Sequence, residues 1–557
     1  MLATYQNPIY EYERSVDQNT DQIPHHPVII VGGGPVGLAA GLDAGVHGIN
    51  ALILDESDTV SVGSRAVCYA KRSLEILNRW GCAQRMIDKG VTWKVGKIFF
   101  RDKLIRQFDL LPAPGHEQPA FINLQQYYLE QYMVERLREL ESVEVRWKNK
   151  VIDVVEDERK VTLTIDTPDG PYSLSCDWLV VADGANSGIR ARMGLESDGK
   201  VFQDRFLIVD VVMKQDAPPE RWFSFDPSYH RGWSTLLHRQ ADDVYRLDFQ
   251  LGWNADPVEE KKPENILPRV KAMLGEGVDF ELEWASVYTF TCRRMEKFRH
   301  GRLLYTGDAA HQVSPFGARG ANSGFQDVDN LIWKLDLVLQ GKAKPSLLDS
   351  YCEERVAAAE ENIMNSTRST DFITPKSNVS RLFRDTVLEL AEHHEFAQLL
   401  TNSGRLSDPS ILTDSMLNTP DSSNFAGDMV PGSPLDDAPM EMGGEERWLL
   451  NTLDGRFHLL YFIEDLASLE PFHQSVLIEM QQQSVPVIPI IVCGEFGSIG
   501  SIDGITTLVD AKGLAKQRFD AEQGTVYLVR PDQHVLGRWR KFDLEKVSAA
   551  VDKVLGS

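Results

Sequence analysis

Four consecutive apolar residues, Val28 to Val31, run into Gly32-Gly33-Gly34; a helical stretch follows, and then a second apolar run from Ala51 to Leu54. A strand, a glycine turn, a helix and a second strand open a doubly wound α/β unit. Two later runs, Trp178 to Ala182 and the start of GRLLYTGDAAH, have the continuous apolar character of strands buried on both faces of a parallel sheet. Between them the texture changes. Over about 90 residues RFLIVDVVMK, RWFSFDP, GWSTLLHR, VYRLDFQLGW and FELEWASVYTFTCRR alternate apolar with polar positions and are rich in aromatics, which predicts an antiparallel sheet. After residue 300 the first texture returns, so the antiparallel part reads as inserted into the doubly wound domain.

From Asn322 onward, Phe325, Val328, Leu331, Ile332, Leu335 and Leu339 fall at helical spacing and Gly341 ends the run, an amphipathic helix. Residues 400–447 are rich in Ser, Asp, Asn, Pro and Gly, the composition of a linker, with a boundary near 430. Beyond it FHLLYFI, VPVIPIIVC and GTVYLVRP read as strands and the stretch from about Leu544 to Leu555 as a closing helix, together a small α/β domain. The expected order is a polar N-terminal extension (1–26), the first part of the doubly wound domain (27–200), the antiparallel sheet (201–294), the second part with its helices (295–400), a linker (401–447) and a C-terminal domain (448–557).

With 557 residues, 42% hydrophobic and 25% charged, the chain has apolar material for more than one core. Fifty-eight Lys and Arg against 82 Asp and Glu leave a net charge of -24, which repels phosphate backbones and anionic lipid headgroups. Neither nucleic acid nor a membrane is expected as a partner. The first 26 residues read as no secretory leader, and no stretch of about 18 apolar residues suits a bilayer span. Six scattered cysteines, Cys68, Cys82, Cys176, Cys292, Cys352 and Cys493, form neither CxxC nor a His/Cys cluster, which fits a reducing cytoplasm and predicts no metal site.

Gly32, Gly34 and Gly37 form G-x-G-x-x-G, with Pro35 inside it. The first glycine permits the tight turn, the second lets backbone approach a pyrophosphate, and the third lets helix and strand pack closely. Free amides at the helix start then face the phosphates. Asp55, at the end of the second strand, is placed to accept hydrogen bonds from ribose hydroxyls. NAD and FAD proteins share this fingerprint. Two further motifs bear on the choice: Asp183-Gly184-Ala185-Asn186-Ser187-Gly188-Ile189-Arg190, and Gly307-Asp308-Ala309-Ala310-His311 followed by Pro315-Phe316-Gly317-Ala318-Arg319-Gly320-Ala321-Asn322.

These three motifs, in this order and with the antiparallel insert before the last, resemble the single-component FAD-dependent aromatic hydroxylases, the p-hydroxybenzoate hydroxylase and phenol hydroxylase group, over roughly residues 27–375. The resemblance implies an FAD-binding domain of the glutathione-reductase type interrupted by a substrate sheet. It implies FAD as cofactor, NADPH or NADH as co-substrate, and dioxygen and a small phenolic molecule as substrates. The reaction implied is ring hydroxylation through a flavin C4a-hydroperoxide, ortho to an existing hydroxyl. Residue by residue, it implies Asp308 at the ribityl chain, Asp183 beside the pyrophosphate, Arg65 at the phosphate or ribityl region, and Gln126 in Gln126-Tyr127-Tyr128-Leu129-Glu130 at the ribityl chain. A Tyr stands where the family has Pro, which leaves Gln125 as an alternative contact. Gly317, Gly320, Ala321 and Asn322 would lie along the isoalloxazine, where the helix start favours an anionic reduced flavin. The family's Gly-Gly-Gln-Gly is here Gly317-Ala318-Arg319-Gly320, and Arg319 could stabilise that anion, aid nicotinamide docking or point outward.

Pro315, Arg319 and Tyr288 are the catalytic candidates, Tyr288 because it lies on the strand leading back to the Gly-Asp motif. Trp222, Phe223, Phe225, Trp233, Phe249, Trp253 and Tyr288 offer aromatic walls, and His238, Arg246, Asp248 and Gln250 polar groups on or near the same strands. About two-thirds of those aromatics are expected to be packing. His311 reads as part of a flavin-holding turn, Cys68 as a small core residue, and Gly494, Gly497 and Gly500 as a loop. The C-terminal domain resembles the thioredoxin-like domain of phenol hydroxylase relatives in TLVDAKGLAKQRFDAEQGTVYLVRPDQHVLGRWR, with no CxxC for thiol chemistry and a packing or homodimer role. Alternatives are an oxygenase of polyketide or antibiotic-like molecules, reduction without oxygen insertion, and a flavin-binding assembly subunit. A flavin halogenase is not expected, since W-x-W-x-I-P is missing.

Overall fold

Val28, Ile29 and Ile30 are completely buried, as a strand with apolar side chains on both faces requires, and His25–Val31 is the strand about which the first sheet is built. The computed structural model describes residues 4–63, 65–214, 218–401, 406–494 and 502–556. His25–Val31 pairs in parallel with Ala51–Leu54 on one side and Tyr172–Val181 on the other, and the latter pairs in parallel with Leu303–Tyr305. Val31 stands level with Leu54 and Val181, and Val181 with Tyr305, so four carboxyl ends share one edge. Gly32, Asp55, Asp183 and Asp308 follow those ends, the place where open α/β sheets take ligands. The helices Pro35–Val46, Gln126–Leu137 and Gly320–Leu339 pack by the sheet. Gly320–Leu339 starts two residues before Asn322, because Gly320 and Ala321 add nothing to the apolar period.

The second sheet has eight strands. Five come from the expected insert: Asp198–Val212, Glu220–Phe225, Ser234–Arg239, Val244–Leu251 and Glu281–Arg294. It is not confined to 201–294. Val95–Phe100 pairs in parallel with Glu220–Phe225 and carries Lys103–Asp109 on its outer side, while His311–Gln312 closes the other edge. One face buries Leu207, Val209, Val211, Leu247 and Phe249 under Ile266 and Val270 of the helix Pro263–Leu274. Alternation along the same strands then presents Phe206, Ile208, Asp210, Arg246 and Asp248 on the opposite face, toward the carboxyl edge of the first sheet.

The expected linker is packed. Leu406, Leu412, Leu417 and Leu435 are buried, and Pro439–Met442 and Glu445–Trp448 are strands of a seven-stranded C-terminal sheet. Turn-forming composition records frequent chain reversals, which here are tethered by apolar residues between them. Phe457–Ile463 is central, parallel to Val487–Cys493 and antiparallel to Val526–Val529, and Leu544–Leu555 is the closing helix. Of the late glycines, Gly494 follows Val487–Cys493; Gly497 and Gly500 lie outside the described residues.

This C-terminal unit docks on the helix Gly320–Leu339. Trp333 meets Phe457 edge-on, ring centres 5.7 Å apart. The turn Arg530-Pro531-Asp532 inserts a buried charge network: Arg530 donates to both Glu354 oxygens at 2.8 and 3.0 Å and to Asp532 at 2.6 Å, and Lys334 reaches Glu354 at 2.7 Å. The N-terminal extension lies along the first domain, with Tyr5 stacked on Tyr127 at 4.1 Å and Tyr10 on Trp147 at 4.4 Å. No helix among the described residues is long and apolar enough to cross a membrane.

Candidate functional site

A continuous cavity of about 1090 Å³ separates the carboxyl edge of the first sheet from the polar face of the second. It exceeds the usual range of about 300–1,000 Å³ for ligand pockets, so its occupant is large or there is more than one. At one end the glycine loop has the shape its residues dictate. Gly32 adopts φ +112°, and a Cβ there would lie 2.3 Å from the Ala182 carbonyl oxygen; at Gly37 it would lie 1.8 Å from the Gly32 carbonyl. Gly34, by contrast, would meet nothing within 4 Å, because it faces the cavity. The amides of the first helical turn open beside it, with Pro35 at the first position where no N–H is needed.

Asp55 lines the cavity with its carboxylate turned to the loop itself: it accepts from the Gly33 amide and, at 2.7 Å, from the Ser57 amide. Arg65 lines the wall, and its carbonyl receives Arg246 Nη1 at 3.2 Å. Gln126 accepts the Ala66 amide at 2.9 Å and donates to Glu130 at 2.7 Å, and Glu130 holds both the amide and the hydroxyl of Ser61. The two glutamines differ in place: Gln126 faces the cavity, while Gln125 is fully buried and donates to the Ala241 carbonyl at 3.0 Å. Glu130, one turn along the helix from Gln126, is a wall residue that anchors Ser61, a part its place in the motif does not reveal.

Asp183 and Asp308 both line the cavity, and burial raises both carboxyls above their ordinary values. Asp183 accepts the Ile189 amide at 3.1 Å on one oxygen and leaves Oδ1 without a protein partner. His311 does not line the cavity. Its Nε2 lies 2.7 Å from Asp327, which also takes Arg355 at 2.7 Å and the Gly307 amide at 3.0 Å, so His311 braces the Gly307–Asp308 turn.

Pro315, Arg319, Gly320, Ala321 and Asn322 line the wall; Gly317 does not, lying behind Arg319. Arg319 is only 5% exposed, turned inward, and donates to Asn362 at 2.8 Å. Asn322 ties the helix start to the strand Cys68–Ala70, accepting from the Ala70 amide and donating to the Cys68 carbonyl, each at 2.9 Å. First-turn amides of a 20-residue helix therefore end at the cavity, a fixed partial positive charge.

The second sheet supplies the other wall through Phe206, Ile208, Arg221, His238, Arg246 and Asp248, with Phe290 and Phe316. None of the seven aromatic candidates lines it. Phe223 and Phe225 pack in the adjoining apolar cluster, Phe249 is in the core on the far face, and Trp253 is 46% exposed. Tyr288 stands opposite Phe206, half-buried against that cluster, one pair of residues from Phe290 and outside the cavity wall. Cys68 is buried in an apolar cluster, as expected, and also lines the wall: its Sγ donates to Asn123 at 3.1 Å and lies 3.8 Å from both His238 Nδ1 and Arg221 Nη1. Six basic side chains, Arg65, Lys150, Arg192, Arg221, Arg246 and Arg319, match six acidic ones around the cavity, so the site is not as acidic as the chain at large.

The chain belongs to the FAD binding domain family, whose model matches residues 25–366. It is 27% identical over 361 residues to the 3-(3-hydroxy-phenyl)propionate/3-hydroxycinnamic acid hydroxylase of Mycolicibacterium smegmatis, a match covering 65% of this chain and 64% of that protein. It is 28% identical over 339 residues to the para-nitrophenol 4-monooxygenase of Pseudomonas sp. strain WBC-3, covering 59% of this chain and 82% of that one. Among solved structures it is similar in fold to the flavin-dependent monooxygenase PieE, crystallised with FAD and substrate, with a TM-score of 0.79 over 96% of this chain and 99% of the other at 22% identity. FAD fits the residues present. The glycine loop leaves open space at Gly34, Asp183 offers an unpaired buried oxygen, and a helix start faces the far end.

Proposed function

We propose that the protein is an FAD-dependent monooxygenase that uses NADH or NADPH and dioxygen to hydroxylate a phenolic ring, ortho to an existing hydroxyl. The observation that carries this reading is the unbroken cavity, which joins the glycine loop and Asp308 to the Phe206, Phe290 and Asp248 wall of the second sheet. A ring bound against the sheet shares one enclosure with the flavin. The names of the two curated relatives, a hydroxylase and a monooxygenase of phenols, support it.

When bound, FAD supplies hydride acceptance from NAD(P)H and activation of dioxygen. The chain supplies the setting. Gly32–Gly37 and the first-turn amides would hold the pyrophosphate, and Arg65, Gln126, Asp183 and Asp308 the ribityl and phosphate region. The amides at Gly320–Asn322, with Arg319 beside them, would stabilise negative charge on the bound ring system without reorganising. Phe206, Phe290, Phe316 and Pro315 exclude water from the reacting end. Purified protein should be yellow, and its NAD(P)H oxidation should accelerate when the right phenol from a panel is added; colourless protein that takes up no FAD would sink the idea.

An oxygenase of a polyketide or antibiotic-like skeleton would differ in which compounds stimulate oxidation, and a flavin-binding assembly subunit would show no stimulation at all. We read the split of the chain as an FAD-binding part (27–200 and 295–400), a substrate sheet centred on 201–294, and a thioredoxin-like C-terminal domain (448–557). The location is cytoplasmic, in keeping with six unbridged cysteines. The assembly is a homodimer, a reading that rests on the resemblance and is tested by light scattering.

A further inference from the structure

Three buried polar atoms at the sheet end of the cavity have no hydrogen-bond partner: Arg221 Nε, His238 Nε2 and Asp248 Oδ1. Each such atom costs about 1–3 kcal/mol, more when charged, so three in one wall mark a place shaped for a ligand. Arg221 is the sharpest case. It is 4% exposed, it reaches the Cys68 sulfur at 3.8 Å and lies over the Phe223 ring, and it forms no ion pair with a carboxylate among the described residues. Its neighbour Arg246 is paired in bidentate fashion with Asp210 at 2.9 and 3.0 Å. Asp248 compensates the Arg221 charge without a hydrogen bond or an ion-pair contact, so a buried guanidinium with an unbonded Nε calls for an anion.

The three residues share one face. Arg221 stands opposite His238, His238 opposite Arg246, and Asp248 is two residues further along the strand of Arg246. Two strand spacings of about 4.8 Å and a two-residue offset of about 6.6 Å put the Cα atoms of Arg221 and Asp248 about 12 Å apart. Once both side chains reach inward, that span suits an aromatic ring with a short acidic arm. Phe206, Ile208 and Phe290 in the same wall supply its apolar contacts.

We propose that Arg221, His238 and Asp248 read the substrate as an aromatic acid: Arg221 with His238 binds its carboxylate, and Asp248 accepts the proton of its ring hydroxyl. The inference rests on the monooxygenase reading above. In the proton step the hydroxyl O–H bond breaks, its electron pair stays on the ring oxygen and enriches the ring, and a new O–H bond forms on Asp248 Oδ1. The groups around Asp248 are consistent with both tasks. Burial, together with the nearby guanidiniums of Arg221 and Arg246, keeps His238 well below its ordinary value and neutral at pH 7. Burial pushes the Asp248 carboxyl up to about 6, against Arg246 and Arg221 and with Asp210, so it is ionised, and basic, above that pH. The charged and titratable groups facing it are Arg246 on its own strand, His238 and Asp210 on the two adjacent strands, Arg221 on the strand beyond His238, and Cys68 opposite.

The test uses the full FAD-loaded protein and two probes alike in shape, 3-(3-hydroxyphenyl)propionate and its carboxamide, with binding read from flavin fluorescence. The acid is expected to bind at least about tenfold tighter than the amide, a difference of one ion-pair interaction. R221Q should erase that preference and R221K retain part of it, at unchanged FAD content. D248N should bind the acid within about twofold of the native protein, while product formation falls by about 100-fold or more and loses the rise with pH through about 6. An acid-to-amide ratio that is the same in R221Q, a preference for the amide, or binding of neither probe overturns the carboxylate assignment. Undiminished product formation with the native pH profile in D248N overturns the proton assignment. Failure of the wider reading looks different: the acid is bound with its preference intact, yet no oxygenated product forms.

Discussion

Replacing Gly37 by alanine is expected to yield a destabilised protein without bound FAD, whereas Gly34→Ala is expected to fold normally and bind FAD more weakly. A Cβ at Gly37 falls 1.8 Å from the Gly32 carbonyl oxygen and 2.9 Å from its carbon, both backbone atoms that cannot swing aside. Helix and strand must separate, an overpacking cost of about 1–3 kcal/mol or more. The loop that carries the pyrophosphate amides then loses its shape. At Gly34 the backbone is extended, φ -80° and ψ -175°, and the added methyl meets nothing within 4 Å of protein. It occupies ligand space instead, for which we expect FAD affinity to fall about tenfold, or about 1.4 kcal/mol. Flavin absorbance per protein, and melting of the FAD-free form, separate the two effects. Gly37→Ala with native FAD content, or a Gly34→Ala protein that fails to fold, would contradict this assignment of the two glycines.

Glu354→Gln is expected to lower stability by about 3–5 kcal/mol and to loosen the C-terminal domain. Glu354 is 3% exposed and accepts from Arg530, Lys334 and Asn330, the last at 2.6 Å. A neutral amide leaves buried cations uncompensated, and breaking such a pair from one side is far costlier than its net worth. Despite the cost of burial, Arg530 and Lys334 hold the Glu354 carboxyl well below its ordinary value of 4.5. A depressed folded value means that this group's contribution is fully present above the unfolded value and is lost only as the pH falls through the folded one. The native domain should therefore keep this contribution at pH 5. A melting temperature lower by roughly 10 °C at pH 7, with faster proteolysis between the domains, is the expected result; an unchanged melt would mean that the network is not holding the domains together. Because Asn330, Trp333 and Lys334 lie on the helix whose first turn lines the cavity, this interface also positions the cavity-facing amides.

The parts legible in the sequence are those whose chemistry is local. A glycine fingerprint specifies its own turn, and strand, turn and helix follow from residues within 30 positions, so Gly32, Gly34, Pro35 and Asp55 lie along the cavity, although the Asp55 carboxylate bonds the loop itself. The Asp183 and Asp308 turns behave likewise. The substrate wall does not, because which face of a strand meets the cavity is set by register among five strands, and a shift of one residue exchanges Phe206 with Leu207. Arg221 lies beside Trp222 and Phe223 in the same run, where a basic residue alternating with apolar ones on a buried strand is a stronger sign of a ligand than the aromatics are. The pairing of Val95–Phe100 with Glu220–Phe225 joins segments over 120 residues apart, beyond any local pattern. The strand of Cys68 is tied to the helix start at the cavity by Asn322, 254 positions away.

The central claim is that the flavin and the ring share one enclosure in which an atom of dioxygen is transferred. Turnover under oxygen-18 gas in ordinary water tests it most directly, with the phenol that best stimulates NAD(P)H oxidation as substrate and mass spectrometry of the product. The expected result is one oxygen-18 atom in each new hydroxyl, ortho to the original one. A product whose new oxygen comes from water, or a reduced product with no oxygen added, would contradict it.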